Sequence, residues 1–206
     1  PCAGRFVWAN ARNAWPGSRM SPGQRNRTKV VFTIPEGAWV LRHELSKAGA
    51  DPRVFFETSD SVIRLAATAE KRLVVLTPFI DEVGLEWFHL LLKARGQEVI
   101  PYLIVRDMHR ISEIVSRRPL LALTDEVRVL EYAPRTSIHG ASVNETFHAK
   151  IVLVDDAAAY VGSANFLGAS LLHSLEAGVE VHGPNVRHVV VAVEAMIRAS
   201  ESLIVG

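Results

Sequence analysis

Between residues 147 and 166 the chain reads FHAKIVLVDDAAAYVGSANF, which sets a His, a Lys, an Asp, a Gly-Ser pair and an Asn in one order. His148 and Lys150 stand two apart in an alternating run, with Val152 on their side and Ala149, Ile151 and Leu153 on the other. In a strand, both side chains leave the same face. A cation and a nucleophile on one face suit attack on a phosphoryl group: the ammonium neutralises non-bridging oxygens while a neutral imidazole nitrogen attacks phosphorus. Asp155 is an odd number of positions from His148, so in an unbroken strand it faces away, and the spacing gives it the anchoring of the next turn. Gly162 is expected to let the backbone bend tightly, and the Ser163 hydroxyl and Asn165 amide can donate to phosphoryl oxygens. Any one of these residues alone is more often structural or solvated than catalytic; their joint spacing carries the reading.

The pattern H-x-K-x4-D-x6-G-S-x-N, met by His148, Lys150, Asp155, Gly162, Ser163 and Asn165 without adjusting a gap, resembles the signature of the phospholipase D superfamily. A weaker resemblance extends over roughly residues 54–200. It implies an α/β lobe and a phosphodiesterase that needs neither metal nor cofactor and works through a phosphohistidine. It also implies a catalytic set of His148, Lys150 and Asp155, with Lys150, Ser163 and Asn165 on the substrate phosphate. A Glu that follows the Asn and hydrogen-bonds the nucleophilic His belongs to this pattern, and Glu176 in HSLEAGVEV sits where it falls. Such a bond would fix the tautomer and leave the other ring nitrogen free to attack. A second His serves as general acid for the leaving oxygen, so two motifs are needed for each active site.

This chain holds one. Lys47, Lys71 and Lys93 lack a His two residues before them, and none of His43, His89, His109, His139, His173, His182 and His188 has a Lys two residues after it. With 206 residues, the chain is bounded to about one domain with a real core. The simplest resolution is a homodimer with two copies of His148 facing each other across a two-fold axis. The rival is a fragment whose other lobe is missing, and the absence of Met at position 1 leaves that open. A single motif resembles the small nucleases of the superfamily and points to a nuclease acting on DNA, in a setting such as bacterial restriction or phage defence. One imidazole neutral and one protonated would give a bell-shaped pH dependence. Two alternatives stand beside it: phospholipid hydrolysis or phosphatidyl transfer, which shares the phosphohistidine chemistry, and a non-catalytic nucleic-acid-binding subunit of a larger complex.

Composition sets the surroundings. The chain is 49% hydrophobic and 22% charged with a formal net charge of +1, ordinary for a globular domain and without a bulk charge that points to DNA. Arg5, Arg12, Arg19, Arg25, Arg27 and Lys29 fall in a stretch with no acid, so residues 1–28 read as a disordered basic segment ahead of a domain over 29–206. Cys2 is the only cysteine, which excludes an intrachain disulfide and a cysteine zinc cluster and fits a reducing cytoplasm. No apolar run reaches about 18 residues, and no signal-peptide pattern opens the chain. His139, His173 and His182 lack metal-ligand spacing, and VGSAN does not fit the G-x-S-x-G of serine hydrolases.

The elements that must position the motif alternate. Strands are expected over 29–33, 72–77, 98–105, 127–131, 147–154, 158–162 and 177–181, and helices over 36–47, 60–70 (capped by Asp60), 82–94, 108–116 and 185–200, with a loop over 133–145. The result is a mixed β-sheet flanked by helices on both faces, a phospholipase D-like single lobe. His148, Ser163 with Asn165, and Glu176 then converge from three elements. Arg106 and Arg110 follow a strand that ends at the same sheet edge, and Arg135 at the head of the long loop is a further candidate substrate contact. Thr77, Phe79 and Asp81 could shape the rim, whereas Trp87 and Phe88 read as core.

Overall fold

The computed structural model describes residues 27–204 apart from 36, 50–56 and 139–140. The basic segment expected over 1–28 lies outside the described residues up to position 26. At the heart of the fold is β2 (Arg72–Leu76), whose five residues alternate between two cores: Leu73 and Val75 enter one, Val74 and Leu76 the other. Every second side chain meets a different layer because a strand has a period of two. A strand covered on both faces reads as an unbroken apolar run.

Around β2 the sheet has seven strands in the order β1-β9-β8-β7-β2-β3-β4. β1 (Arg27–Thr33) is one edge and β4 (Arg128–Glu131) the other, with β3 (Ile100–Val105) pairing parallel to β2 and to β4. β7 (Lys150–Val154), β8 (Ala158–Gly162) and β9 (Glu176–His182) form an antiparallel meander, and β7 joins β2 antiparallel. Helix α1 (Trp39–Lys47) follows β1, and helices α2 (Thr58–Ala67), α3 (Glu82–Ala94) and α4 (Met108–Arg117) supply Val62, Leu65, Phe88, Leu91 and Ile114 to one core. Helix α5 (Val186–Ile204) supplies Val186, Val193 and Ile197 to the other. The expected mixed sheet with helices on both faces is what the chain forms. Phe88 is fully buried and Trp87 packs against that core, as their helical position implied.

Four local expectations change. Glu57, not Asp60, occupies the N-cap of α2, and Asp60 lies in its first turn. The segment expected as a loop over 133–145 contains a hairpin, β5 (Arg135–Ile138) with β6 (Ala141–Asn144). β7 starts at Lys150 rather than at 147, because its neighbours stop there: Gly162 of β8 pairs with Lys150, and Leu76 of β2 with Ile151. With no ladder partner on either side, His148 sits in the approach to the strand. Finally, Gly162 is not among the described glycines with positive φ, so no tight bend requires it. Instead, a Cβ there would lie 2.1 Å from the Tyr160 hydroxyl, and one at Gly178 would lie 2.4 Å from the Tyr160 ring. Gly162 and Gly178 are paired across β8 and β9, and the Tyr160 side chain lies across the gap they leave.

Candidate active site

One edge of the sheet collects the ends that matter. The C-terminal ends of β2 and β8 and the N-terminal ends of β7 and β9 meet there, since Leu76 pairs with Ile151, Lys150 with Gly162 and Gly162 with Gly178. β1 ends there too, with Thr33 opposite Glu176. The loop leaving β8 is fastened to the segment after β2 by backbone and side chain alike. The Asp81 amide donates to the Phe166 carbonyl (3.1 Å), the Phe166 amide donates to Thr77 Oγ1 (3.2 Å), and the Gly168 amide donates to the Asp81 carboxylate (2.9 Å). Asp81 also accepts from the Gly84 amide (2.8 Å) and so caps α3. A Cβ at Gly84 would fall 1.7 Å from the Phe166 carbonyl oxygen, so only glycine lets the helix start approach this loop. Thr77 and Asp81 therefore hold the loop carrying Ser163 and Asn165, and of the three rim candidates Phe79 alone faces outward.

At this edge His148 is exposed and Lys150 is buried, 4% accessible. The Lys150 ammonium lies 2.9 Å from Nδ1 and 3.1 Å from Nε2 of His148 and donates to the His148 carbonyl (2.8 Å). Whichever ring nitrogen carries no proton accepts from it. Among the described residues the ammonium meets no carboxylate within ion-pair distance, so its charge is available to an anion. Burial pushes the Lys150 pKa below the ordinary lysine range, and the charge of Glu176 pulls it partly back. Lys150 projects from the same face as Val152 and Val154, toward the α2 and α3 core, in the alternation that its register requires.

Glu176 is buried, and the expected bond to His148 is not made in the single chain. Its carboxylate accepts from the Ser163 hydroxyl instead. Ser163 in turn accepts from the Ala177 amide (3.1 Å), so this hydroxyl is occupied in positioning Glu176 rather than directed at an incoming phosphate. Asn165 leaves its carbonyl oxygen buried without a hydrogen-bond partner. Asp155 stands at the opposite end of β7 from Lys150. Its carboxylate accepts from the backbone amides of Glu70 (3.0 Å), Lys71 (2.9 Å) and Arg72 (2.9 Å). Of the catalytic set the motif suggested, Asp155 thus does not reach the site, and its work is the turn that the spacing assigned to it. Arg135 opens β5, in register with Asn144.

Two neighbours of His148 complete the picture. The Phe79 ring meets the imidazole edge to face at 6.1 Å, and the Arg106 guanidinium lies over the Phe79 ring at 5.2 Å. Arg106 thus comes to the same edge as the site, by way of Phe79. Tyr160 and Gly178 have no role in the sequence reading, and Gly162 has a different one there. The usable signal was two glycines inside adjacent strands, a mark of close approach by another group. Among the described residues no three His, Cys, Asp or Glu side chains gather into a metal-binding group, and no helix is long and apolar enough to cross a membrane.

A buried ammonium thus lies against an exposed imidazole where the strand ends of a mixed sheet open, an arrangement able to hold an anion beside a nucleophile. Residues 62–197 match the family described as cardiolipin synthase, PLD-like domain, and the chain belongs to the phospholipase D-like family. It is an enzyme of that phosphodiesterase superfamily. Among solved structures, NucT from Helicobacter pylori superposes with a TM-score of 0.57 at 9% identity, covering 85% of this chain and 98% of that one. Nuc from Salmonella typhimurium, a phospholipase D family member, gives 0.51 at 14% identity, with 85% and 96% covered. Phosphatidylserine synthase from Haemophilus influenzae gives 0.50 at 13% identity and covers 87% of this chain but 38% of its own. These likenesses show a common fold. No curated protein matches in sequence.

Proposed function

We propose that this protein is a metal-independent, homodimeric nuclease that cleaves DNA through a phosphohistidine on His148. The observation that carries the reading is the exposed His148 ring with the Lys150 ammonium at 2.9 and 3.1 Å from its nitrogens. Lys150 would hold non-bridging phosphate oxygens while an unprotonated nitrogen of His148 attacks phosphorus. The P–O bond to the leaving oxygen breaks, and that oxygen takes a proton from His148 of a second copy. Water then attacks phosphorus, the P–N bond breaks, and the second imidazole recovers its proton. One neutral and one protonated ring are needed, which gives a bell-shaped pH dependence. The exposure of His148 supports pairing with a second copy, because an imidazole at an open sheet edge can face its symmetry mate. The similarity in fold to NucT and Nuc, with nearly the whole of each of those chains covered, supports the small-nuclease form. The single cysteine supports a reducing cytoplasm, and a phage-defence or restriction setting remains part of the proposal.

The decisive test is His148→Asn. Wild type should cleave oligonucleotides in excess EDTA, run as a dimer in sedimentation and accumulate an acid-labile phosphoenzyme. The variant should lose cleavage by at least about a thousandfold, as loss of a covalent nucleophile does. Full activity in the variant would sink the assignment. A second reading is phospholipid hydrolysis or phosphatidyl transfer, favoured by the family's description and by the likeness to a phosphatidylserine synthase. Headgroup release from vesicles, with no oligonucleotide cleaved, would select it.

A further inference from the structure

Beside His148 lies a cleft of ≈ 460 Å³ whose lining includes Pro78, Phe79, Val105, Arg106, Arg110 and Leu167. Sites for small ligands run to about 300–1,000 Å³, so its size suits a ligand unit such as one nucleoside. Phe79 forms the wall shared with the active site. It is 42% accessible, unusual for a large aromatic ring, with its edge contact to His148 and the Arg106 guanidinium over it. The carboxylates of the cleft are already engaged: Asp81 accepts from the Gly84 and Gly168 amides, and Asp107 accepts from the Arg110 amide at the start of α4. Arg110 shares its charge with Glu113, 3.1 Å away. Arg106 has no carboxylate partner among the described residues, so the free charge of the cleft is positive. An exposed ring beside a stacked, unpaired guanidinium is the pairing that receives an unstacked base and the phosphate next to it.

We propose that Phe79 and Arg106 form a base-stacking subsite for the nucleotide adjoining the scissile phosphate, and that they select single-stranded or locally unpaired nucleic acid. This rests on the nuclease reading above. A base within a duplex has both faces covered by its neighbours, so it can reach Phe79 only by leaving the stack, at a cost of a few kcal/mol. An unpaired base reaches it without that cost. Arg106, released from the ring or stacked beyond the base, meets the flanking phosphate.

The test compares the full chain with Phe79→Ala, Phe79→Trp and Arg106→Ala on three substrates. These are a single-stranded oligonucleotide, the same strand in a duplex, and the same strand with abasic residues through its central region. Wild type should favour the intact single strand over the other two by roughly 10- to 100-fold in kcat/KM, the range that one stacked base supplies. In Phe79→Ala the ratio of intact to abasic cleavage should collapse toward one, chiefly through KM. Phe79→Trp should keep it, and so guards against loss through misfolding. Arg106→Ala should raise KM on all three and flatten its salt dependence. Equal wild-type cleavage of intact and abasic strands overturns the subsite and leaves the nuclease reading standing. An undiminished base preference in Phe79→Ala also overturns it. Failure of wild type to cleave any oligonucleotide, with headgroup release from phospholipid vesicles, removes the nuclease reading and the subsite together.

Discussion

Replacing Asp155 separates a catalytic from a structural aspartate. Asp155 adopts φ 50°, the one described non-glycine residue with positive φ, and its carboxylate gathers the amides of Glu70, Lys71 and Arg72. The clamp ties the β7–β8 turn to the start of β2. In Asp155→Ala the Glu70 and Lys71 amides, which lie at the surface, turn to water, each bond costing toward the low end of about 0.5–1.5 kcal/mol. The Arg72 amide is part-buried, and leaving it unsatisfied costs about 1–3 kcal/mol. Alanine is also disfavoured in the left-handed region, which adds up to about 1 kcal/mol relative to aspartate. The total is about 2–5 kcal/mol, and in a domain of this size each kcal/mol lowers Tm by about 2–4 °C. A drop of roughly 5–15 °C is expected by thermal melting. Asp155→Asn keeps an acceptor for Lys71 and Arg72 and tolerates the backbone, so it should lose less than half as much. Below the melting range, kcat/KM on a phosphodiester should stay within about twofold in both variants, because His148 is at the other end of β7. A tenfold loss of kcat/KM at unchanged Tm would refute the structural reading.

Three further outcomes test the architecture. Gly178→Ala should destabilise by about 1–3 kcal/mol through overpacking against Tyr160, and in a Tyr160→Leu background the same change should cost much less; denaturant titration of the four proteins gives the coupling. Although burial opposes it, Ser61, His182, Arg64 and Lys29 together hold the Glu180 pKa below 4.5, so the stability it contributes is present above pH 4.5 and lost as pH falls through that lowered value. Glu180→Gln should therefore be less stable than wild type at neutral pH, with the difference shrinking below pH 4.5 in unfolding titrations. The lowered pKa of Lys150 gives a slope of the same sign in an alkaline window: wild type gains stability as pH rises toward 10.5, since the unfolded chain then holds the proton longer. Lys150→Met should lose that contribution to the alkaline slope and should also lose turnover.

The N-terminus of α3 shows how far local sequence reached. Its start needs only local cues: Asp81 before an apolar-periodic run, with an acid at Glu82. What the sequence withheld is that the same carboxylate also receives the Gly168 amide, 87 positions away. The hairpin over β5 and β6 is hard to see in sequence because its strands are only four residues each and pair with each other rather than with the main sheet. At the site, the two-residue step keeps the His148 ring beside the Lys150 ammonium, although His148 precedes β7 and so lies outside the reach of strand period.

Chain order alone thus determined the alternating elements, the two-residue step that joins imidazole to ammonium, and the family signature. Tertiary structure alone decided what each remaining polar group touches. Glu176 turned to Ser163, Asp155 turned to the amides before β2, and Phe79 and Arg106 came to the rim beside His148. The reason is physical. Periodicity fixes the direction in which a side chain leaves the backbone, but a hydrogen bond is won by whichever partner the packed sheet brings within about 3 Å, and for these residues that partner is usually tens of positions away in sequence.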